Sequence, residues 1–147
     1  MARPGPEFQR CVERGRLVQI TPDRALAERE LGSAQQDLEE AQASLERGNF
    51  KWSTIQSYYA MFHAGRALIH LRGYREKSHL CLGVALNELY VRAGKLEAEL
   101  LSEFEDARAL REQADYRGSF SQSAAEESVR SAERFLARAK ELIAESK

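Results

Sequence analysis

Three histidines are the side chains of this 147-residue sequence whose unperturbed proton affinity suits acid–base work near neutrality. His63 and His70 stand in the stretch SYYAMFHAGRALIH, from Ser57 to His70, and His79 follows shortly after. Steps of four, three and four lead from Tyr59 to His63, Arg66 and His70. At 100° per residue these four side chains fall within about 60° of one another on a helix, and Trp52 projects onto the same stripe. Such a stripe can grip an anion through its arginine or move a proton through its histidines. The competing reading is a set of hydrogen-bonded histidines at a helix–helix or subunit contact.

Metal chemistry fits poorly. Histidines seven apart sit about 10.5 Å from each other along a helix. A shared zinc ion needs Zn–N distances of about 2.0–2.1 Å. Di-iron bundle sites use two Glu-x-x-His motifs on separate helices, a pair the sequence lacks. No metal and no cofactor is expected. Nor is a nucleophile evident, since there is neither a glycine-rich phosphate cradle nor a G-x-S-x-G elbow. Cys11 and Cys81 form no metal spacing and no disulfide framework. They are expected as unpaired thiols in a reducing cytoplasm, Cys81 serving as a small core filler.

The elements that must position these residues read as helices throughout. Thr21-Pro22 is a start signal, followed by an apolar stripe of Leu31, Ala34, Leu38, Ala41 and Leu45 that closes at Gly48-Asn49. A second helix spans about Lys51 to Arg72 and ends at Gly73. Ile55, Phe62 and Ile69 line one strip of it, and Ala60, Ala64, Ala67 and Leu71 another, so it should be the buried central helix. A third helix runs from Ser78 to Gly94 and a fourth from about Lys95 to Leu110, after which ADYRGSF breaks the pattern. Ser123 and Glu126 form a capping box for the last helix, which turns Val129, Ala132, Leu136, Ala139 and Ile143 inward. No period-two segment predicts a sheet. The short connections predict an all-α, up-and-down bundle of four to five helices over residues 21–147, with residues 1–20 as an arm or a short helix from Phe8 to Leu17.

Composition narrows the classes further. With 22 basic and 23 acidic residues, the chain is not one that coats nucleic acid by bulk charge, though a local basic patch fits within a neutral total. No stretch has the length of a membrane span or a signal-peptide core, so a cytoplasmic protein with no membrane association is expected.

The stretch SYYAMFHAGRALI, then Lys77-Ser78-His79, then LREQADYRGSF before the last helix, together resemble the HEPN domain superfamily. Within it they are most similar to the branch of small proteins with a YYAMFHA-type helix and an R-x-x-x-D-Y motif, which here is Arg111 to Tyr116. The basic run Arg14-Gly15-Arg16-Leu17 ahead of a proline and a long helix fits the same branch. The resemblance implies a helical bundle, usually a homodimer. It implies kinship with metal-independent ribonucleases that carry an arginine and a histidine four to six residues apart at the start of the final helix. It also implies frequent pairing with a minimal nucleotidyltransferase in toxin–antitoxin systems, where a tyrosine two residues after that histidine is adenylylated in some pairs.

Carried onto this sequence, Arg108 or Arg111 supplies the arginine, while the histidine position, two residues before Tyr116, is Ala114. Alanine carries no proton, so the resemblance argues against retained nuclease chemistry. Asp115 has an unperturbed pKa near ~3.9, too low for an acid–base shuttle, and sits at i,i+4 from Arg111 as a salt-bridge partner. The expectation is a non-catalytic domain protein that binds a nucleotidyltransferase partner, nucleotide or RNA. Its polar cleft would draw on Tyr59, His63, Arg66, His70, His79, Arg108, Arg111, Asp115 and Tyr116. Two alternatives stay open: a ribonuclease whose acid–base function has moved to His63, His70 or His79, and a helical oligomerisation module without a small ligand.

Overall fold

The computed structural model describes residues 3–117 and 120–146, the side chains of 113–117 excepted. Four long helices form the bundle: α2 (Arg24–Glu46), α3 (Phe50–Leu71), α5 (Ala98–Arg117) and α6 (Gln122–Glu145). Two short ones, α1 (Pro6–Glu13) and α4 (His79–Leu86), pack beside it. The all-α reading holds.

Cross-links between the helices give their directions. Ser53 Oγ donates to the Ala41 carbonyl and His63 meets Glu30, so α2 and α3 run antiparallel. Arg24 reaches the Ile143 carbonyl and Gln42 reaches Glu133, so α2 and α6 do too. Arg134 bonds Glu103 and Arg138 bonds Glu97, which sets α5 against α6. The result is up-and-down.

The centre belongs to α3, as its apolar faces require. Ala60, Ala64 and Ala67 have no exposed surface, and Tyr58, Met61 and Leu68 are equally enclosed. Tyr58 stacks on Phe104 of α5, which stacks on Phe135 of α6, each pair at 5.7 Å between centroids. This three-ring column joins three helices through offset faces, the favoured aromatic geometry. Trp52 departs from the expected stripe: at the first turn of α3 it is 50 % exposed, with Lys51 over its ring.

The structure corrects several local expectations. A short antiparallel ribbon pairs β1 (Leu17–Gln19) with β2 (Tyr74–Glu76), where no strand was expected. Three residues per strand are too few for alternation to register in a sequence. Gly73 makes the ribbon work: its φ of +85° turns the chain out of α3, and a Cβ there would lie 2.9 Å from the Ile20 carbonyl oxygen. The first helix lies at Pro6–Glu13 and Leu17 is already in the ribbon. Asp23, rather than Thr21, caps α2 by accepting from the Leu26 N–H. Ser121, rather than the Ser123–Glu126 box, caps α6 by accepting from Ala124. The expected helix from Ser78 to Gly94 is α4 followed by a π-helical turn, Asn87–Val91, which lets Tyr90 donate to the Leu68 carbonyl at 2.6 Å. The fourth helix continues past Leu110 through Arg117, so the R-x-x-x-D-Y backbone is helical and lies at the end of α5, not at the start of the final helix.

Cys11 and Cys81 are joined in a disulfide, with Cα atoms 5.9 Å apart, and are neither unpaired nor mere filler. Their separation of 70 residues hid the pairing, because only the docking of α1 on α4 brings them together. Among the described residues no helix is long and apolar enough to cross a membrane.

Candidate functional site

The polar stripe of α3 is real, but it serves two neighbours. His63 and Arg66 face α2 and β2. His63 Nδ1 lies 2.7 Å from Glu30, and its Nε2 lies 3.6 Å from Asp37. Arg66 pairs with Glu30 at 3.5 Å and Glu76 at 3.2 Å. Glu30 and Glu76 retain 14 % and 8 % of their side-chain exposure, so these charges are held away from water and must be compensated. Burial pushes the Glu30 carboxyl upward, but the His63 hydrogen bond and the Arg66 charge outweigh it and hold the group below its ordinary value. For Glu76, burial wins over Arg66 and the carboxyl is raised.

Tyr59 faces the other way, toward α5. Arg111 donates to its hydroxyl at 3.0 Å, with the guanidinium carbon 5.6 Å from the ring centroid. One turn earlier on α5, Arg108 bonds Glu105 at 3.0 Å and approaches Glu112 at 3.5 Å. His79 closes this group from the first residue of α4: its ring stacks on Phe62 at 4.4 Å, and its Nδ1 meets the Tyr58 hydroxyl at 2.5 Å. Ser78 caps α4 through the Cys81 N–H and fixes where His79 begins. Burial lowers the His79 proton affinity, and the charges of Arg111, Arg108 and Arg66 lower it further against the opposing charge of Glu112. The histidine thus sits in a positive field.

Gly83 admits part of this arrangement. A Cβ on it would come 2.1 Å from Glu105 Oε1, so glycine lets the carboxylate that holds Arg108 lie against α4.

His70 joins neither group. It is 1 % exposed, with neither ring nitrogen hydrogen-bonded, and burial together with the Arg66 charge lowers its proton affinity. The side chains of Ala114, Asp115 and Tyr116 lie outside the described residues, and with them the expected Arg111–Asp115 pair. Of the nine cleft residues named from sequence, Tyr59, His79, Arg108 and Arg111 assemble at the α3–α4–α5 face, and Arg66 lies between the two groups, 5.6 Å from the Phe62 ring. Sequence reasoning missed Tyr58, Glu30, Asp37 and Glu76. Glu30 and Asp37 did leave a signal: seven apart on α2, they project within about 80° of Ala27, Ala34 and Ala41 on its apolar face. Charges there require buried partners.

Among the described residues no cluster of three or more His, Cys, Asp or Glu side chains is arranged to hold a metal ion. The arrangement around Tyr59 offers two guanidinium groups, a neutral imidazole and aromatic faces, which suit a phosphate and a base better than a proton shuttle.

Comparison with known proteins agrees with this architecture. The HEPN domain matches residues 27–143, from the first turn of α2 to the end of α6. UPF0332 protein glr0978 of Gloeobacter violaceus is 31 % identical over 115 residues, covering 76 % of this chain and 91 % of that protein. A match that runs through all four bundle helices leaves one conclusion: this chain belongs to the HEPN domain family.

Proposed function

We propose that this HEPN domain protein binds a phosphate-bearing ligand, a nucleotide or RNA, at the Tyr59–His79–Arg108–Arg111 face without cleaving it. The observation that supports the reading best is the convergence of two guanidinium groups on this face: Arg111 donates to the Tyr59 hydroxyl at 3.0 Å, and the charges of Arg111 and Arg108 both bear on the His79 ring. The carboxylates on this face are α5 neighbours of Arg108, at 35 % and 54 % side-chain exposure. Such surface pairs are worth about 0–1 kcal/mol, so an incoming phosphate displaces them at little cost. Alanine at position 114 argues against hydrolysis, since the helix offers no proton carrier there. The family's association with minimal nucleotidyltransferases and toxin–antitoxin pairs supports such a partner as the source or recipient of the ligand, and its homodimers support a second copy completing the cleft.

Fluorescence polarisation with labelled single-stranded RNA and with a labelled adenine nucleotide tests the reading. Wild-type protein is expected to bind at least one of them, and R108A/R111A to bind it at least tenfold more weakly, with R130A on the exposed face of α6 as the control. Binding that falls as salt rises is expected, because phosphate contacts release counterions. Equal binding by wild type and the double variant removes the proposal. Metal-free cleavage of the RNA, lost in H79A, replaces it with the relocated ribonuclease.

A further inference from the structure

The disulfide lies on the opposite side of α4's first turn from the stacked His79 ring, and nothing in the phosphate-binding reading uses it. It forms part of the lining of a cavity of about 190 Å³ between α1 and α4. Arg10, Arg14 and Arg16 line the same cavity, against one carboxylate, Glu7. Cys81 is the third residue of α4, with its N–H donated to Ser78, so its sulfur sits at the positive end of a helix. Such surroundings favour a thiolate.

We propose that Cys11–Cys81 is a thiol–disulfide exchange site that takes a carboxylate-bearing thiol, drawn in by the three arginines. The incoming thiolate attacks the Cys11 sulfur, forming a mixed disulfide and breaking the Cys11–Cys81 bond. The electron pair of that bond leaves on Cys81, as a thiolate at the start of α4. A second equivalent of the same thiol attacks the mixed disulfide at the incoming sulfur. That step releases the oxidised thiol dimer and leaves Cys11 as a thiolate, so two electrons pass from two thiols to the protein, whose thiolates then take up protons from water. The order of leaving groups follows from the environment, since a stabilised thiolate leaves faster.

The bond joins the two short helices that pack beside the bundle. It fastens α1 to α4, and α1 keeps two other ties: Phe8 packs edge-on to Tyr74 at 5.4 Å, and the Gly5 N–H donates to Glu88. Cys11 and Cys81 are buried, and the incoming thiol reaches their bond through the cavity that both line. The inference stands independently of the phosphate-binding proposal.

The test uses the full oxidised chain, with the Cys11–Cys81 linkage verified by a non-reducing peptide map. Opening rates are read by alkylation of released thiols with reduced glutathione, 2-mercaptoethanol and cysteamine, each at equal thiolate concentration and without denaturant. Glutathione, which carries two carboxylates, is expected to react about tenfold faster than the cationic cysteamine, as electrostatic steering of this kind allows. In R10A/R14A/R16A, whose altered side chains are all exposed, the ranking is expected to flatten. The proposal is overturned if the oxidised protein lacks this linkage, if the three thiols rank equally in wild type, or if opening requires denaturant that unfolds the bundle.

Discussion

The two sides of α3 handle charge in opposite ways. Toward α2 and β2, His63 and Arg66 meet Glu30, Asp37 and Glu76 across helix and ribbon, each contact joining one element to another. Toward α5, Arg108 is answered among the described residues by carboxylates of its own helix, and Arg111 lies over the Tyr59 ring. The first arrangement is tertiary and shielded; removing a member takes a partner from another. The second is local and half-open, so Arg108 can trade a surface carboxylate for another anion at little cost. A single helix thereby carries a structural lock on one face and a candidate docking face on the other.

Breaking the lock should give the largest effect. Glu30→Ala takes a partner from both His63 and Arg66, and loss of one member of a buried charge cluster costs about 3 kcal/mol at this partial exposure. Denaturant unfolding followed by circular dichroism measures it, and a loss under about 0.5 kcal/mol would show that water compensates the pair. The docking face should behave the other way round. R108A/R111A is expected to lower stability by less than about 1 kcal/mol, since the carboxylates that hold Arg108 form surface ion pairs. The same change should weaken ligand binding tenfold or more, about 1.4 kcal/mol. A variant that unfolds the protein while leaving the affinity of the folded fraction intact would reverse the comparison.

The pH dependence separates the faces by a smaller margin. His70 and His79 both have proton affinities lowered from the ordinary 6.5, chiefly by burial. The unfolded chain then binds more protons than the folded one, so stability should fall as pH drops below 6.5, until the folded rings themselves protonate. Glu76 and Asp37, whose carboxyls are raised by burial, act in the opposite sense at lower pH. His70→Gln, which cannot titrate, should flatten the decline just below 6.5. Equal slopes for wild type and His70→Gln would show that the ring protonates freely in the folded state.

What the sequence made legible follows from how far apart the cooperating residues lie. Helix type, the central place of α3 and the convergence of Tyr59 with Arg111 follow from periodicity and from a family pattern that spans the chain. The division of the stripe does not follow, because Tyr59 and His63 are one turn apart and about 40° of helix rotation sends them to different neighbours. Which neighbour receives each depends on α2 and α5 packing at particular angles. The Cys11–Cys81 bond and the β1–β2 ribbon fail to show for the same reason: each joins the arm to a segment more than 50 residues on, through contacts with no local signature. Both caps lie two residues from the expected positions, since Thr21, Asp23, Ser121 and Ser123 are all competent acceptors and only the turn geometry selects among them.

The smallest expected change calibrates the rest. Gly32 lies in the interior of α2, exposed, and an added Cβ would meet nothing within 4 Å. Glycine there leaves the unfolded chain more freedom to lose, so Gly32→Ala should stabilise by about 0.5–1 kcal/mol, read as a rise in melting temperature. Residues two apart point to different sides of a helix, so this gain should add to the Glu30→Ala loss without altering it. If the two changes prove strongly non-additive, α2 is shifting as a body when Glu30 is removed. The cost assigned to the buried charges would then belong to the packing of the whole helix.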